Sequence, residues 1–345
     1  MGATDNRTVN HGAPCIPNCN PAPPPSAIDN KYKALGGASG FLGPVVQKEA
    51  AISGTNGRYA VYSNGRIYWT ATTGAHEIHG SLLTEHNHRS GVRGPLGFPT
   101  GDVATASDGT TRYSQFADGR IIKWTQGTYS LWGTIYRKHL ALGSLRGRLG
   151  YPTMGMKSLT DGRGTYADFQ RGRIYAVDRR ARALWGPIWA KFRTNASLLG
   201  YPESDVMSIG DNRGYWSWFE RGYVLYAPSP GAHVTSGAIA ERYLANGYAK
   251  GYLKYPTSDV LNVGDGRGRY QVFEGGRIYA KDSIGGHEVR GAILDAYLSS
   301  TWGGPTGRLG YPMGEIARRD ALRRQRFEGG VLQWNTTTGA VTFEP

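Results

Sequence analysis

The chain has 345 residues, room for two average domains or one large repetitive one. Its 51 glycines are about twice the usual share of ~7% yet follow no G-X-Y period, which excludes collagen, and 22 tyrosines and 9 tryptophans against 5 methionines favour strands over a helix bundle. The formal charge of +14 rests on 30 arginines and 10 lysines, a guanidinium-rich balance that suits carboxylates, phosphates or hydroxyl-rich partners, or serves solubility alone.

Residues 1–25, "MGATDNRTVNHGAPCIPNCNPAPPP", carry few large apolar residues and end in a proline run, so they read as a disordered leader or extended linker. Both cysteines, Cys15 and Cys19, fall there, and no disulfide framework holds the rest. They close a small ring in an oxidising compartment or remain free thiols. No run approaches the ~18 apolar residues of a membrane span, and Met1 is not followed by a basic segment and an apolar core, so the export signal of a secreted protein is not in this chain.

From residue 26 to 345 the chain repeats itself. A corner motif stands as Leu42-Gly43-Pro44, Leu96-Gly97-Phe98-Pro99, Leu149-Gly150-Tyr151-Pro152, Leu199-Gly200-Tyr201-Pro202, Leu253-Lys254-Tyr255-Pro256 and Leu309-Gly310-Tyr311-Pro312, its prolines 50 to 56 residues apart. A second string, an aromatic, two residues, a glycine and an apolar run, recurs in step with it at Gly65, Gly119, Gly172, Gly222, Gly276 and Gly330. Two markers with one period define six copies, with boundaries at 26–74, 75–127, 128–180, 181–231, 232–284 and 285–345.

Each copy predicts one short helix and three strands. In "GAILDAYL", residues 291 to 298, Ile293, Leu294 and Tyr297 fall on one stripe after an H-x-V-x-G loop. After the proline, alternating apolar positions are broken at Asp265-Gly266 and Gly275-Gly276, the chemistry of hairpin turns. In the corner, leucine enters the core, glycine supplies freedom that a Cβ denies, and the aromatic before proline is driven to extended geometry. One such unit cannot bury its apolar face alone, so its neighbours complete each core.

On these residues the chain resembles the LGFP-repeat proteins, over 26–345. The resemblance implies a mainly β fold with one short helix per repeat, a propeller-like closed ring of about 54-residue repeats. It also implies an envelope-binding module of mycolic-acid-bearing actinobacteria, secreted, often attached to mycoloyltransferases or peptidoglycan amidases and held to an arabinogalactan-peptidoglycan layer. The chain departs from the pattern at Lys254 and at the shortened Leu42-Gly43-Pro44.

No G-x-S-x-G, H-E-x-x-H or G-x-x-x-x-G-K-[ST] string occurs. Glu85, His86 and His88 suggest a metal, but positions two apart do not share a helix face, and a solvated helix end fits them better; no metal or cofactor is expected. An active site is needed once, whereas a multivalent contact is needed in every unit, so the recurring polar positions are the candidates. Asp102, Asp205, Asp259 and Glu315, three after the proline, offer acceptors to sugar hydroxyls or cap a turn. His76, His233 and His287 recur before the helix, with Tyr129 and Arg182 in their place in two units. Arg163, Arg213 and Arg267 recur in the turns, followed by Tyr166, Tyr215 and Tyr270, a fork beside an aromatic face that suits a sugar ring. Trp69, Trp124 and Trp334 match one another as core or as platforms.

The function expected is a monomeric, non-catalytic anchor on envelope polysaccharide, binding through six similar shallow sites. The alternatives are a glycan hydrolase using the four carboxylates, and a basic nucleic-acid binder, for which no groove-reading helix is visible. The sequons at Asn6, Asn195 and Asn335 read as chance in a bacterial export.

Overall fold

The computed structural model describes residues 26–345. The leader, with Cys15, Cys19 and Asn6, lies outside them. Among the described residues, seven α-helices and six four-stranded sheets follow one another. The helices are α1 (Ala27–Ala34), α2 (Gly80–His88), α3 (Gly133–Ala141), α4 (Gly186–Arg193), the single-turn α5 (Ala196–Leu199), α6 (Gly237–Ala245) and α7 (Gly291–Leu298). The sheets span 45–79, 104–132, 157–185, 207–236, 261–289 and 317–344. Every sheet is an antiparallel meander with its strands in chain order.

The predicted three strands are present, and the H-x-V-x-G segment is a fourth instead of a loop. Gly285–Val289 pairs with Gly276–Lys281, placing His287 opposite Tyr279. A turn at Asp282 to Ile284 returns the chain at once, and Gly285 leaves it at φ 77°, left-handed geometry that a side chain resists. The predicted boundaries at 74, 127, 180, 231 and 284 therefore fall at this last hairpin and cut the first five sheets, leaving the sixth whole. A repeat period fixes the length of a unit but not its phase. The structural unit is a helix, the corner and the sheet after it, the fourth unit carrying the extra α5.

The two motifs keep one period because they touch. A Cβ added to Gly119 would lie 2.5 Å from Leu96 Cδ2 and 2.8 Å from the Leu131 carbonyl, and Gly65 is equally close to Leu42. The corner leucine thus seats itself on the bare backbone of the strand glycine. Leu42, Leu149, Leu199, Leu253 and Leu309 are fully buried and Leu96 nearly so. The corner proline pairs with the aromatic of the second motif, as in Pro99 with Phe116, Pro152 with Phe169, Pro202 with Phe219 and Pro312 with Phe327.

The corner glycine has a second duty. Gly97, Gly150 and Gly310 have φ of 71°, 75° and 65°, and Lys254 adopts 56°, so the departure in sequence keeps the turn. This geometry presents a carbonyl to the preceding helix. His86 and His139 each donate Nε2–H to it at 3.0 Å, from Gly97 and Gly150, while the Tyr243 and Tyr297 hydroxyls reach Lys254 and Gly310 at 2.6 Å. Each ring stacks on the aromatic of the second motif, His139 on Phe169 at 4.7 Å and Tyr297 on Phe327 at 4.7 Å.

Five of the six hydrophobic clusters join consecutive sheets through the helix between them, as Ile122, Ile135, Leu149 and Ile174 join the second and third. The sixth belongs to the first unit, around Ile28, Leu42 and Ile67. Among the described residues no cluster joins the first sheet to the last.

Candidate functional site

The acids and histidines singled out separately in the sequence come together at the joints between units. At the first joint, Lys31 of α1 and Asp102 at the start of the second sheet form an ion pair, and His76 Nδ1 of the first sheet's fourth strand lies 3.3 Å from the same carboxylate. Asp102 also accepts the Glu77 N–H. The arrangement returns with Lys191, Asp259 and His233, at 2.5 and 3.6 Å, and with Arg242, Glu315 and His287, the last pair at 2.9 Å. Lys138 and Asp205 meet at 2.6 Å, with Arg182 in the histidine's place turned to the Glu203 carbonyl. Each clamp ties a helix, the sheet that follows it and the next unit. Burial raises the Asp102 and Asp259 carboxyls, but bonds from the lysine and a backbone N–H outweigh it and hold both below the usual carboxylate range.

One joint departs from this pattern and explains the rule. In the third unit Gly155 stands where the acid belongs, and in α2 Glu85 stands where the lysine belongs. Glu85 takes Arg89 at 2.8 Å and Ser130 at 2.6 Å, and a Cβ on Gly155 would lie 3.1 Å from Arg89 Nη2. The missing side chain leaves room for the guanidinium. His86 is buried against Phe116, so it is no solvated helix end, and among the described residues no group of His, Cys, Asp or Glu could hold a metal ion.

The turn residues form a second row of contacts. Arg163, Arg213 and Arg267 do not face Tyr166 and Tyr270; they lie over the corner tyrosines of the next unit, Tyr201, Tyr255 and Tyr311, at 5.1, 4.8 and 5.4 Å. Tyr166 and Tyr270 lie instead under Arg173 and Arg277 of their own hairpins, because the turn arginine sits at the tip that reaches the neighbour. The corner tyrosines donate to the turn aspartates: Tyr201 to Asp161 at 2.8 Å, Tyr255 to Asp211 at 2.6 Å, Tyr311 to Asp265 at 2.8 Å, and Tyr151 to Asp108. Burial first, and then the Asp161 bond, pushes the Tyr201 hydroxyl up to about 12. Phe98, without a hydroxyl, faces a first-unit turn in which Gly54 occupies the aspartate's place. Tyr255→Phe is expected to cost about 1–2 kcal/mol in urea unfolding, since it removes the side-chain donor to a carboxylate otherwise held by the Arg213 and Gly214 N–H groups, whereas Phe98→Tyr gains nothing.

The matched tryptophans face inward. Trp124 stacks on Tyr151 at 5.0 Å and donates to the Pro152 carbonyl at 2.8 Å, while Trp69 and Trp334 pack half-buried against the first and last clusters. Asn195 and Asn335 bond to nearby backbone.

A cleft suited to a ligand lies elsewhere, between the second hairpin turn of one sheet and the start of the next helix. In the third unit it measures about 900 Å³, lined by Arg148, Asp168, Arg173, Trp185, Trp189 and Arg193. In the fourth unit a cleft of about 950 Å³ takes the equivalent positions Leu198, Trp218, Tyr223, Ser236, Ala240 and Leu244. Arg173 recurs as Arg66, Arg120 and Arg277, Arg148 as Arg308 and Trp185 as Trp132, whereas Trp189 and Arg193 have no counterpart in the other units and no period marks them. The available signal was "LWGPIWAKFR", two tryptophans four apart amid basic residues.

The LGFP repeat family model matches residues 42–94, 96–147, 149–196, 199–251 and 253–305. No curated protein matches. Solved structures similar to the chain include the extracellular domain of BT4673 from B. thetaiotaomicron, at 10% identity over 89% of this chain and 44% of that one, TM-score 0.15. Apo AztD from Citrobacter koseri matches at 10% identity over 82% and 69%, TM-score 0.13, and the AfRom2 CNH domain at 7% over 70% and 82%, TM-score 0.17. The chain thus spans under half the length of the first of these structures.

Proposed function

The chain belongs to the LGFP-repeat family, and from that premise we propose that it is a non-catalytic module that binds cell-envelope polysaccharide outside the cytoplasm. The observation that carries this reading is the cleft that returns at one place in the third and fourth units, each of a size that ordinarily holds a small ligand. Neighbouring clefts on one body raise residence through effective concentration, so weak sugar contacts suffice for anchoring. The candidate acids fit a scaffold role better than acid-base work, since each meets a lysine or arginine across a joint. The glycan is of the arabinogalactan-peptidoglycan type that the family resemblance implies, and an associated envelope enzyme is its natural companion.

The same reading arranges the six units as a propeller-like ring. Its sixth joint would be unlike the other five. Ala296 stands in α7 where a cation is needed, Gln47 where the acid is needed, and Leu42-Gly43-Pro44 has no aromatic to reach a turn aspartate.

Sedimentation with delipidated wall material tests the function. The purified protein is expected to pellet with arabinogalactan-peptidoglycan and to stay in solution without it; absence of co-pelleting at low salt sinks the reading.

A further inference from the structure

The two clefts share a position and differ in chemistry. The third-unit cleft holds Arg148, Arg171, Arg173 and Arg193 against one carboxylate, Asp168, which pairs with Arg173. The fourth-unit cleft holds Glu203, Glu220 and Glu241 against Arg221 and Arg269. The third also has two half-buried indoles. Arg148 lies 5.2 Å from the Trp185 ring centroid, and Arg173 and Arg193 lie 5.0 and 5.8 Å from that of Trp189.

We propose that the third-unit cleft is the principal binding site and that it takes a saccharide segment carrying negative charge, as carboxylate or phosphodiester; this rests on the envelope-polysaccharide reading. Indole rings offer the flat apolar surface against which the carbon face of a sugar ring packs. Guanidinium groups beside them supply planar two-pronged donors for an anionic substituent. Arg148 and Arg193 are exposed, and neither forms an ion pair among the described residues, so their charge is available to a ligand. Their contacts with the tryptophans hold the forks at the cleft wall. The fourth-unit cleft, richer in carboxylates, holds the charged segment less tightly, so the sites along the array are not equivalent.

Titration calorimetry with the full chain tests this with three probes of similar length: an oligogalacturonate, a ribitol-phosphate oligomer and an uncharged galactan oligomer. The oligogalacturonate or the ribitol phosphate is expected to bind at least tenfold more tightly than the galactan, and whichever does identifies the anion. Arg148→Gln/Arg193→Gln is expected to weaken that binding at least tenfold with unfolding unchanged. Trp189→Ala is expected to weaken all three probes, and Glu241→Gln in the fourth-unit cleft none. Equal binding of the galactan, full binding by the arginine variant, or equal affinity for an oligothymidylate overturns the proposal. Wall pelleting separates the two readings. Variant and parent pelleting alike, with oligogalacturonate and ribitol-phosphate binding also unaffected by the variant, removes this site and leaves the envelope reading; anion binding lost in the variant, with no pelleting of the parent, does the reverse.

Discussion

Leu96→Ala is expected to lower the unfolding free energy by about 2–5 kcal/mol, the range for truncating a buried leucine whose surroundings relax only partly. The side chain is 3% exposed and its Cδ2 fills the hollow over Gly119. Gly119→Ala alone inserts a methyl where Leu96 and the Leu131 carbonyl already stand, and overpacking of this kind costs about 1–3 kcal/mol. Combined, the two changes are expected to cost clearly less than their separate costs together, because the new methyl occupies part of the vacated space. Denaturant unfolding of the four proteins measures the cycle. Additivity within about 0.5 kcal/mol would mean that this contact does not explain why the two motifs share a period.

The second large effect concerns acid. Burial first pushes the His139 imidazole down, the bond to the Gly150 carbonyl offsets part of this and Arg120 adds to it, leaving a value of about 4; burial also lowers His86. The unfolded chain binds a proton near pH 6.5 that the folded chain refuses until about pH 4. Stability contributed by the neutral ring is therefore complete above pH 6.5 and is lost as pH falls through that window, by about 3 kcal/mol for His139. His139→Tyr is expected to remove this component, since Tyr243 and Tyr297 already serve the same carbonyl position with a hydroxyl. Urea midpoints at pH 7 and pH 4.5 compare the two proteins. An equal drop in both shows that the ring is not the acid-sensitive group.

Periodicity exposed the helix, the three strands after the corner and the leucine at each core, because those positions answer to backbone geometry and burial, which every unit needs. The fourth strand stayed hidden. Its five or six residues follow a turn directly, and a histidine-bearing segment before a glycine shows no alternation long enough to mark a strand. The recurring acids, histidines and turn arginines stand out without their destinations, since each meets a partner in another unit, from 26 residues away for His76 and Asp102 to 71 for Lys31 and Asp102. Their recurrence pointed to the joints. Trp189 and Arg193 occur in one unit alone, as ordinary members of a helix, so no period marks them.

The joints have a polarity. Each helix cation and each turn aspartate is handed forward to the following unit, and Glu85 with Gly155 shows that donor position and receiving position change together. A gene segment encoding one period can therefore be duplicated or lost in frame with its seams still matched wherever the cation-and-acid pattern holds, whereas the second and third units, joined by Glu85 and Gly155, travel as a set. Lineages of such chains are free to vary in length by whole modules, while the outermost copies and any seam with a swapped pair need bespoke sequences.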